Sequence, residues 1–314
     1  MCLCAYNATM RELELIDWIR RRGLVGAGRK KVRVGPGDDC AVLASAGKGS
    51  DLLLKTDGLV EGVHFDSKAR PVQVGYKAVC RPLSDVAACG GRPTAAVVFV
   101  ALGKGRSGSW ARGFQRGLER AAGMFRCPVV GGDVSDTPGP TTIATGLLGE
   151  VHRGRALLRS RARPGDRIFV TGRLGGSILG RHLRFTPRLE EGRFLAGFKG
   201  IGACIDVSDG LARDLAHVLK ESGGLGAEIR AADVPIAGAA RRAKGDALKH
   251  ALSDGEDYEL LFTVRPGRAS ELGKRWPFKT RLSEVGAIGA RGSGLWLLAA
   301  GRRRRLRPAG WQHL

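Results

Sequence analysis

The stretch Ala95-Ala96-Val97-Val98-Phe99-Val100-Ala101-Leu102 decides the fold, because a continuous apolar run of this length is typical of a fully buried strand. A helix is predicted around residues 110–124, and a second strand at Val129-Val130 ends in Gly131-Gly132-Asp133. Open α/β sheets bind ligands beyond their strand ends, so this phrase marks a candidate site.

The flanking sequence continues the alternation of strands and helices. The predicted elements are a helix over Arg11 to Arg22, a short strand Leu52-Leu53-Leu54 that runs into Thr56-Asp57, a helix carrying Tyr76, Val79, Leu83 and Val86, and a strand from Thr142 to Val151. Pro82 lies inside the second helix, where we expect a kink or break. Asp85 falls on the side opposite to the apolar residues, so by itself it indicates a surface charge.

A second section opens at Arg153-Gly154-Arg155 and repeats this alternation. Its predicted elements are Arg167 to Thr171, Gly176 to Leu183, Ala203 to Val207, Leu211 to Ser222, Ala227 to Arg230, Tyr258 to Val264 and Leu295 to Ala299. The order predicts an α+β protein with two mixed α/β domains, residues 1–152 and 153–314.

The chain of 314 residues carries 52 Lys and Arg against 30 Asp and Glu, a net charge of +22. A basic nucleic-acid-binding protein is therefore an alternative, although Arg is spread over the whole chain. The run Arg302-Arg303-Arg304-Arg305 is expected to be a solvated loop after a strand. No apolar run is long enough for a membrane span and no secretory signal is found, so we expect a cytoplasmic protein.

The seven cysteines are scattered without a Cys-x-x-Cys pair, which disfavours zinc and indicates buried thiols in a reducing compartment. Gly103 to Gly108 matches the dinucleotide pattern, but we expect a plain loop because no acidic strand end follows at the right distance. The sequence has neither a complete Walker A motif nor a protein-kinase phrase.

Aspartates recur in short Gly-rich or apolar phrases, although carboxylates are scarce in this chain. The phrases are Gly37-Asp38-Asp39, Lys55-Thr56-Asp57, Leu83-Ser84-Asp85, Gly131-Gly132-Asp133 and Ile205-Asp206-Val207-Ser208-Asp209. Individually they suit caps and turns; for Asp206 to Gly210, N-capping by Ser208 or Asp209, metal binding and phosphate binding all stay open. Together they favour Mg²⁺ and phosphate, because Mg²⁺ takes carboxylate ligands and bridges to phosphate oxygens.

Read in order, these phrases resemble the thiamine-monophosphate kinases, whose superfamily also holds aminoimidazole ribonucleotide synthetase, selenophosphate synthetase and HypE. The residues that carry the resemblance are Gly37 to Leu43, Thr56 to Phe65, Tyr76-Lys77-Ala78, Leu83 to Ala88, Gly131-Gly132-Asp133, Arg159 to Asp166, Ile205 to Leu211, Gly255-Glu256-Asp257-Tyr258-Glu259-Leu260 and Gly310-Trp311-Gln312-His313. The match extends from about residue 11 to the end of the chain.

The resemblance implies ATP-dependent phosphorylation of thiamine monophosphate to thiamine diphosphate, by direct in-line transfer of the γ-phosphate with several Mg²⁺ ions. It implies a homodimer whose N-terminal domains pair to form a β-barrel, with no membrane and no specific nucleic acid as partner. The implied Mg²⁺ ligands are Asp39, Thr56, Asp57, Asp85, Asp133, Asp206 and Asp209. The implied ATP contacts are Gly132, Asp133, Arg159 and Ser208, and the implied substrate contacts are His64, Glu256 and Trp311.

No residue is expected to act as a general base or covalent nucleophile, because the attacking phosphate oxygen is already ionised. Three positions depart from the family pattern that the resemblance implies: Lys55 stands where relatives often have a small hydroxyl residue, Pro82 lies in a helix, and Asp254 replaces a usual Gly. A sister enzyme of the superfamily acting on another substrate is the nearest alternative.

Overall fold

The computed structural model describes residues 12–22, 27–47 and 49–310. Within these ranges, six strands form a first sheet in the order β1-β2-β3-β6-β4-β5. The strands are β1 (Val32–Val34), β2 (Ala41–Ala44), β3 (Ser50–Val60), β4 (Arg92–Gly103), β5 (Val129–Thr137) and β6 (Thr142–His152). The helices of this part are α1 (Glu12–Arg22), α2 (Pro71–Ala88) and α3 (Gly108–Phe125).

Seven strands of the described chain form a second sheet in the order β13-β12-β9-β11-β7-β10-β8. They are β7 (Arg167–Thr171), β8 (Ile201–Asp206), β9 (Leu225–Arg230), β10 (Leu260–Val264), β11 (Leu282–Arg291), β12 (Leu295–Ala299) and β13 (Arg302–Arg305). Its helices are α4 (Leu189–Gly197), α5 (Leu211–Glu221), α6 (Gly238–Arg242), α7 (Ala247–Ser253) and α8 (Pro266–Arg275). The mixed α/β architecture is thus confirmed, and the described residues of a single copy form no closed barrel.

Helix α2 is the element that joins the two sheets. Pro71 opens it, where a missing N–H costs nothing and the fixed φ suits a helix. Its apolar side chains share one core cluster with Phe262 of the second sheet. Pro82 does not end the helix, because packing on both sides outweighs the lost hydrogen bond.

The expectation that Asp85 is a surface charge is wrong, since its side chain is only 6% exposed. The face of α2 that carries Asp85 is covered by β3 and β8, so the polar side of this helix is also interior. A helical wheel shows which residues share a face, but it does not show how many neighbours the helix has.

Strands β3 and β5 are longer than their apolar cores predict. Strand β3 pairs with β6 along its whole length, so Asp57 lies inside the strand rather than after it. Strand β5 pairs in parallel with β4 as far as Thr137, so the predicted strand end at Gly131-Gly132-Asp133 is wrong. Backbone pairing with a long neighbour extends both strands past their polar residues.

Two further predictions of local structure fail. The run Arg302–Arg305 is not a loop but strand β13, which pairs with β12 and keeps all four side chains exposed. Residues 176–183 form two short 3-10 turns, Ser177–Leu179 and Arg181–Leu183, instead of a regular element.

One face of the first sheet lacks a covering layer in the described chain. Leu54 on β3 and Val97 on β4 are each 48% exposed, and Phe99 on β4 is 38% exposed. Strand β5 is an edge strand, so its outer backbone groups are unpaired within the sheet. Among the described helices, none is both long and apolar enough to cross a membrane.

Candidate active site

Three buried carboxylates meet where α2 contacts both sheets. Asp39 precedes β2, Asp85 lies near the end of α2, and Asp206 ends β8; one oxygen of each lies within 4.8 Å of the others. Residues 167 positions apart in sequence therefore form one cluster. Like charges this close repel, so the cluster requires a cation or shared protons.

Asp39 is held by Arg159. The Arg159 Nε donates to Asp39 Oδ1 at 3.0 Å, and a second guanidinium N–H donates to the same oxygen. The other oxygen, Oδ2, is buried and has no hydrogen-bond partner among the described residues. The neighbouring Asp38 accepts the main-chain N–H of Arg159 at 3.2 Å, and burial, with Asp39 adding to it, raises the pKa of Asp38 to about 7.

Lys55 supplies a second counter-charge to the cluster, after Arg159. Its Nζ donates to Asp85 Oδ1 at 2.9 Å. Burial works to lower the pKa of Lys55, but Asp85 and Asp57 outweigh it and raise that pKa. Burial and the nearby carboxylates still raise the pKa of Asp85 well above its usual range, against the effect of Lys55. Lys55 and Arg159 thus supply two positive charges to a cluster of three carboxylates.

Asp57 and Asp206 each have a defined polar neighbour. The Nε of Arg81 lies 3.3 Å from Asp57 Oδ2. Ser84 donates its hydroxyl to Asp206 Oδ2 at 2.6 Å. Burial and the charge of Asp39 raise the pKa of Asp206 to about 7.

The turn before α5 decides one alternative left open by the sequence. Gly210 is the N-cap of α5 and no side chain caps it, so N-capping by Ser208 or Asp209 is wrong. Asp214, one turn into the helix, instead accepts the main-chain N–H groups of Asp209 at 3.1 Å and Gly210 at 3.0 Å. Asp214 was missed because a carboxylate in the first turn of a helix is common.

A cavity of about 240 Å³ opens beside the cluster. His64 and Glu256, two of the predicted substrate residues, line it from the two halves of the chain. Its lining residues include His64, Phe65, Arg81, Ile178, His182, Ser208, Asp209, Asp254 and Glu256. The cavity combines apolar walls with charged groups, as small-molecule sites do.

Asp254, one of the departures from the family pattern, has defined partners. Its Oδ2 accepts the main-chain N–H of Gly176 at 3.0 Å, and its two oxygens lie 2.9 and 3.0 Å from His250 Nδ1. Asp254 thus fixes the turn that carries Ile178 at the cavity wall.

Lys77 was missed as a member of the site. It has no exposed surface and contacts both His64 and Glu256. A signal was present, since a lysine among the apolar positions of an interior helix needs a buried partner.

Other predicted residues lie apart from the cluster. Thr56 is exposed and points to the opposite face of β3 from Asp57, as alternation along a strand requires. Pairing across the sheet places Gly132 in the same row as Asp57 but three strands away, roughly 14 Å. Asp133 is exposed on the edge strand. The roles assigned to these residues stay predictions.

Trp311 lies outside the described residues. The chain before it reaches the site, because a Cβ at Gly310 would lie 2.4 Å from the main-chain oxygen of Asp209.

The donor set fits a hard divalent cation. The carboxylates supply the oxygen ligands that Mg²⁺ prefers, three of them are buried together, and Asp39 Oδ2 lacks any other partner in the described structure. Lys55 donates to only one oxygen of Asp85, so the other oxygen of that carboxylate stays available to a cation.

Comparisons with known proteins identify the family of this chain. Residues 37–151 match the family described as AIR synthase related protein, N-terminal domain. Thiamine-monophosphate kinase of Rhodopirellula baltica is 37% identical over 295 residues, covering 90% of this chain and 92% of that protein. The Escherichia coli enzyme of the same name is 38% identical over 263 residues, covering 76% and 79%. The chain belongs to the thiamine-monophosphate kinase family.

Solved structures of thiamine-monophosphate kinases superpose on this chain. The complex of AaThiL with AMPPCP and TMP superposes with a TM-score of 0.83 at 30% identity, covering all of both chains. Thiamine monophosphate kinase from Aquifex aeolicus gives 0.76 at 30% identity, covering 94% of this chain and 99% of that one. HypE in complex with ATP, at 21% identity and a TM-score of 0.70, shares the fold of this thiamine-monophosphate kinase family member.

Proposed function

We propose that this protein phosphorylates thiamine monophosphate to thiamine diphosphate with ATP, by in-line transfer of the γ-phosphate. The observation that carries the proposal is the cluster of Asp39, Asp85 and Asp206, with an unpartnered oxygen at Asp39, beside a cavity lined by His64 and Glu256. The relatives' shared name supplies the substrate, and the cluster and cavity supply a site of suitable chemistry.

The reaction needs positioning and charge compensation more than proton transfer. The attacking atom is a phosphate oxygen that is ionised at neutral pH, so no general base is required. The obstacle is repulsion between two highly charged phosphates. Several bound Mg²⁺ ions would reduce that repulsion and polarise the γ-phosphate.

Different residues of the chain would hold the cations and contact ATP. Asp39, Asp57, Asp85, Asp206 and Asp209 would hold the cations, and Thr56 and Asp133 are further ligands on the strength of the family resemblance. Arg159, Ser208 and Gly132 would contact ATP phosphates. Arg159 suits this role because a guanidinium that already orders Asp39 can donate its remaining N–H groups to a phosphate.

The acceptor would lie in the cavity between His64 and Glu256, with Trp311 as a stacking partner for a thiamine ring. Phe65 and Ile178 offer an apolar wall to such a ring, and Arg81 offers a positive charge on the side of the carboxylate cluster. The acceptor phosphate would then face the γ-phosphate.

We also propose a homodimer formed through the uncovered face of the first sheet. Leu54, Val97 and Phe99 expose apolar surface there, and the edge of β5 is unpaired. Thr56 and Asp133 lie on this part of the sheet, so a second copy would bring its own surroundings to them. We assign residues 1–152 to an ATP- and Mg-binding dimerisation domain, residues 153–314 to a C-terminal α/β domain, and the whole protein to the cytoplasm.

The test is direct turnover. Purified protein is incubated with γ-labelled ATP, Mg²⁺ and thiamine monophosphate, and labelled thiamine diphosphate is expected. Asp85→Asn and omission of Mg²⁺ serve as negative controls. ADP formed only with another acceptor would indicate a sister enzyme, and salt-sensitive DNA retention without turnover would indicate a nucleic-acid-binding protein.

A further inference from the structure

Lys77 lies in the middle of α2, behind the cavity, with no exposed surface. Its Nζ donates to the main-chain oxygen of His64 at 2.8 Å, lies 2.9 Å from Nδ1 of His182, and donates to Oε2 of Glu256. An ammonium has three N–H donors, so these contacts use all of them. Lys77 therefore has no donor left for a ligand.

The three acceptors come from different parts of the fold. His64 follows β3 of the first sheet, whereas His182 and Glu256 belong to segments between strands of the second sheet. One buried charge thus fixes the distance between the two walls of the cavity. Tyr258 completes the arrangement, since its hydroxyl donates to Oε1 of Glu256 at 2.8 Å.

His182 contacts both members of this ion pair through one ring nitrogen. Its Nδ1 lies 2.9 Å from Nζ of Lys77 and 3.1 Å from Oε2 of Glu256. His182 lines the cavity, and its Nε2 has no hydrogen-bond partner in the described part of the chain. The imidazole therefore has one ring nitrogen left for a ligand.

The charges at this point are compatible with that arrangement. Burial works to raise the pKa of Glu256, but His182, Lys77 and Arg81 outweigh it and lower that pKa. Burial lowers the pKa of Lys77 to about 8 against the opposing effect of Glu256, so the ammonium stays mostly protonated at neutral pH. Glu256 is thus an ionised acceptor held by two side chains.

We infer that Lys77 is a positioning residue for the acceptor substrate: it holds Glu256, the main chain of His64 and the imidazole of His182 in place at the cavity. The inference rests on the proposed function for the identity of the substrate. It assigns to Lys77 and His182 an effect on thiamine monophosphate and none on ATP, because neither residue contacts the carboxylate cluster in the described structure.

The test uses Lys77→Met, with the exposed Lys104→Met as a matched control. For Lys77→Met, the KM for thiamine monophosphate should rise about 10-fold or more, as expected for loss of a charged hydrogen bond, with the KM for ATP unchanged within about twofold. Thiamine monophosphate should no longer raise the Tm, while the Mg²⁺–ATP analogue should still do so. Equal losses for both ligands, or no loss for either, would overturn the inference.

His182 provides a second test that does not remove a buried charge. His182→Ala should raise the KM for thiamine monophosphate, and His182→Gln should restore part of the lost affinity, because the Gln amide can place a polar group near the position of Nε2. Two variants that both behave like wild type would contradict the assignment of His182. Wild-type protein that does not use thiamine monophosphate would instead refute the proposed function, so the two failures are distinguishable.

Discussion

The ammonium of Lys55 lies 2.9 Å from Oδ1 of Asp85. This ion pair places a fixed positive charge within the carboxylate cluster. Lys55 therefore supplies part of the charge that a bound cation would otherwise supply. The effect of Lys55 on metal binding can therefore be measured by replacing this residue.

Replacing Lys55 should make the fold dependent on Mg²⁺. In Lys55→Thr, Asp85 loses its buried counter-charge, and breaking such a pair costs about 3–5 kcal/mol. We expect a lower Tm without metal and a larger rise in Tm on adding Mg²⁺ than in wild type, measured by thermal unfolding across a Mg²⁺ titration. Arg33→Thr removes a cation that pairs with Asp51 away from the cluster and serves as the control. An equal response of both variants to Mg²⁺ would argue against the role of Lys55.

Replacing Asp206 should raise the stability of the metal-free protein and lower its activity. Asp206→Asn removes a buried charge near Asp39 while keeping an acceptor for the Ser84 hydroxyl. We expect the metal-free Tm to rise by about 2–4 °C, which corresponds to about 1 kcal/mol, and turnover to fall at least about 100-fold because a cation ligand is lost. Circular dichroism melting and the coupled ATPase assay measure the two effects. Full turnover in this variant would remove Asp206 from the metal site.

The stability of the metal-free protein should fall as the pH rises from about 4 to about 7. The pKa of Asp206 is raised from 3.8 to about 7, so between these values the folded state binds a proton that the unfolded state has lost. This stabilising contribution is complete below pH 3.8 and is lost as the pH passes 7. Mg²⁺ binding to the ionised carboxylates should flatten the dependence. Chemical denaturation at several pH values, with EDTA or Mg²⁺, measures it; a stability that rises over this interval in EDTA would contradict the assignment.

Replacing Arg159 should affect ATP and not the acceptor. In Arg159→Lys the charge is kept, but the two N–H donors to Asp39 cannot be reproduced by a single ammonium. We expect the KM for ATP to rise about 10-fold with an unchanged KM for thiamine monophosphate. Initial rates with each substrate varied in turn provide the measurement. Arg161→Lys, two residues away on an exposed side chain, is the matched control.

Much of this architecture follows from local sequence. The apolar run in β4 and the spacing of apolar residues in α2 identify their elements, because burial requires those patterns. Strand length does not follow in the same way: β3 and β5 continue through Asp57 and Asp133 because neighbouring strands offer backbone partners. The lengths of these two strands are therefore determined by their pairing in the folded protein.

The candidate site, too, could be predicted only in part from the sequence. The order of the aspartate phrases identifies Asp39, Asp85 and Asp206, and the structure brings them together. The predicted exposure of Asp85 was wrong and the role of Lys77 was missed. The burial of both side chains depends on what covers the polar side of α2. A sequence pattern identifies the polar residues, whereas their burial depends on the packing of a second domain-sized unit.

Helix α2 carries Lys77 beside the acceptor cavity, Arg81 beside Asp57, and Asp85 in the carboxylate cluster, at intervals of four residues. With a rise of 1.5 Å per residue, the distance along the helix from Lys77 to Asp85 is about 12 Å. One rigid element thus sets the separation between the proposed acceptor cavity and the carboxylate cluster proposed to hold the cations. A single inserted residue would rotate one end by about 100° relative to the other, so under the proposed function the length of this helix would itself determine which acceptors fit.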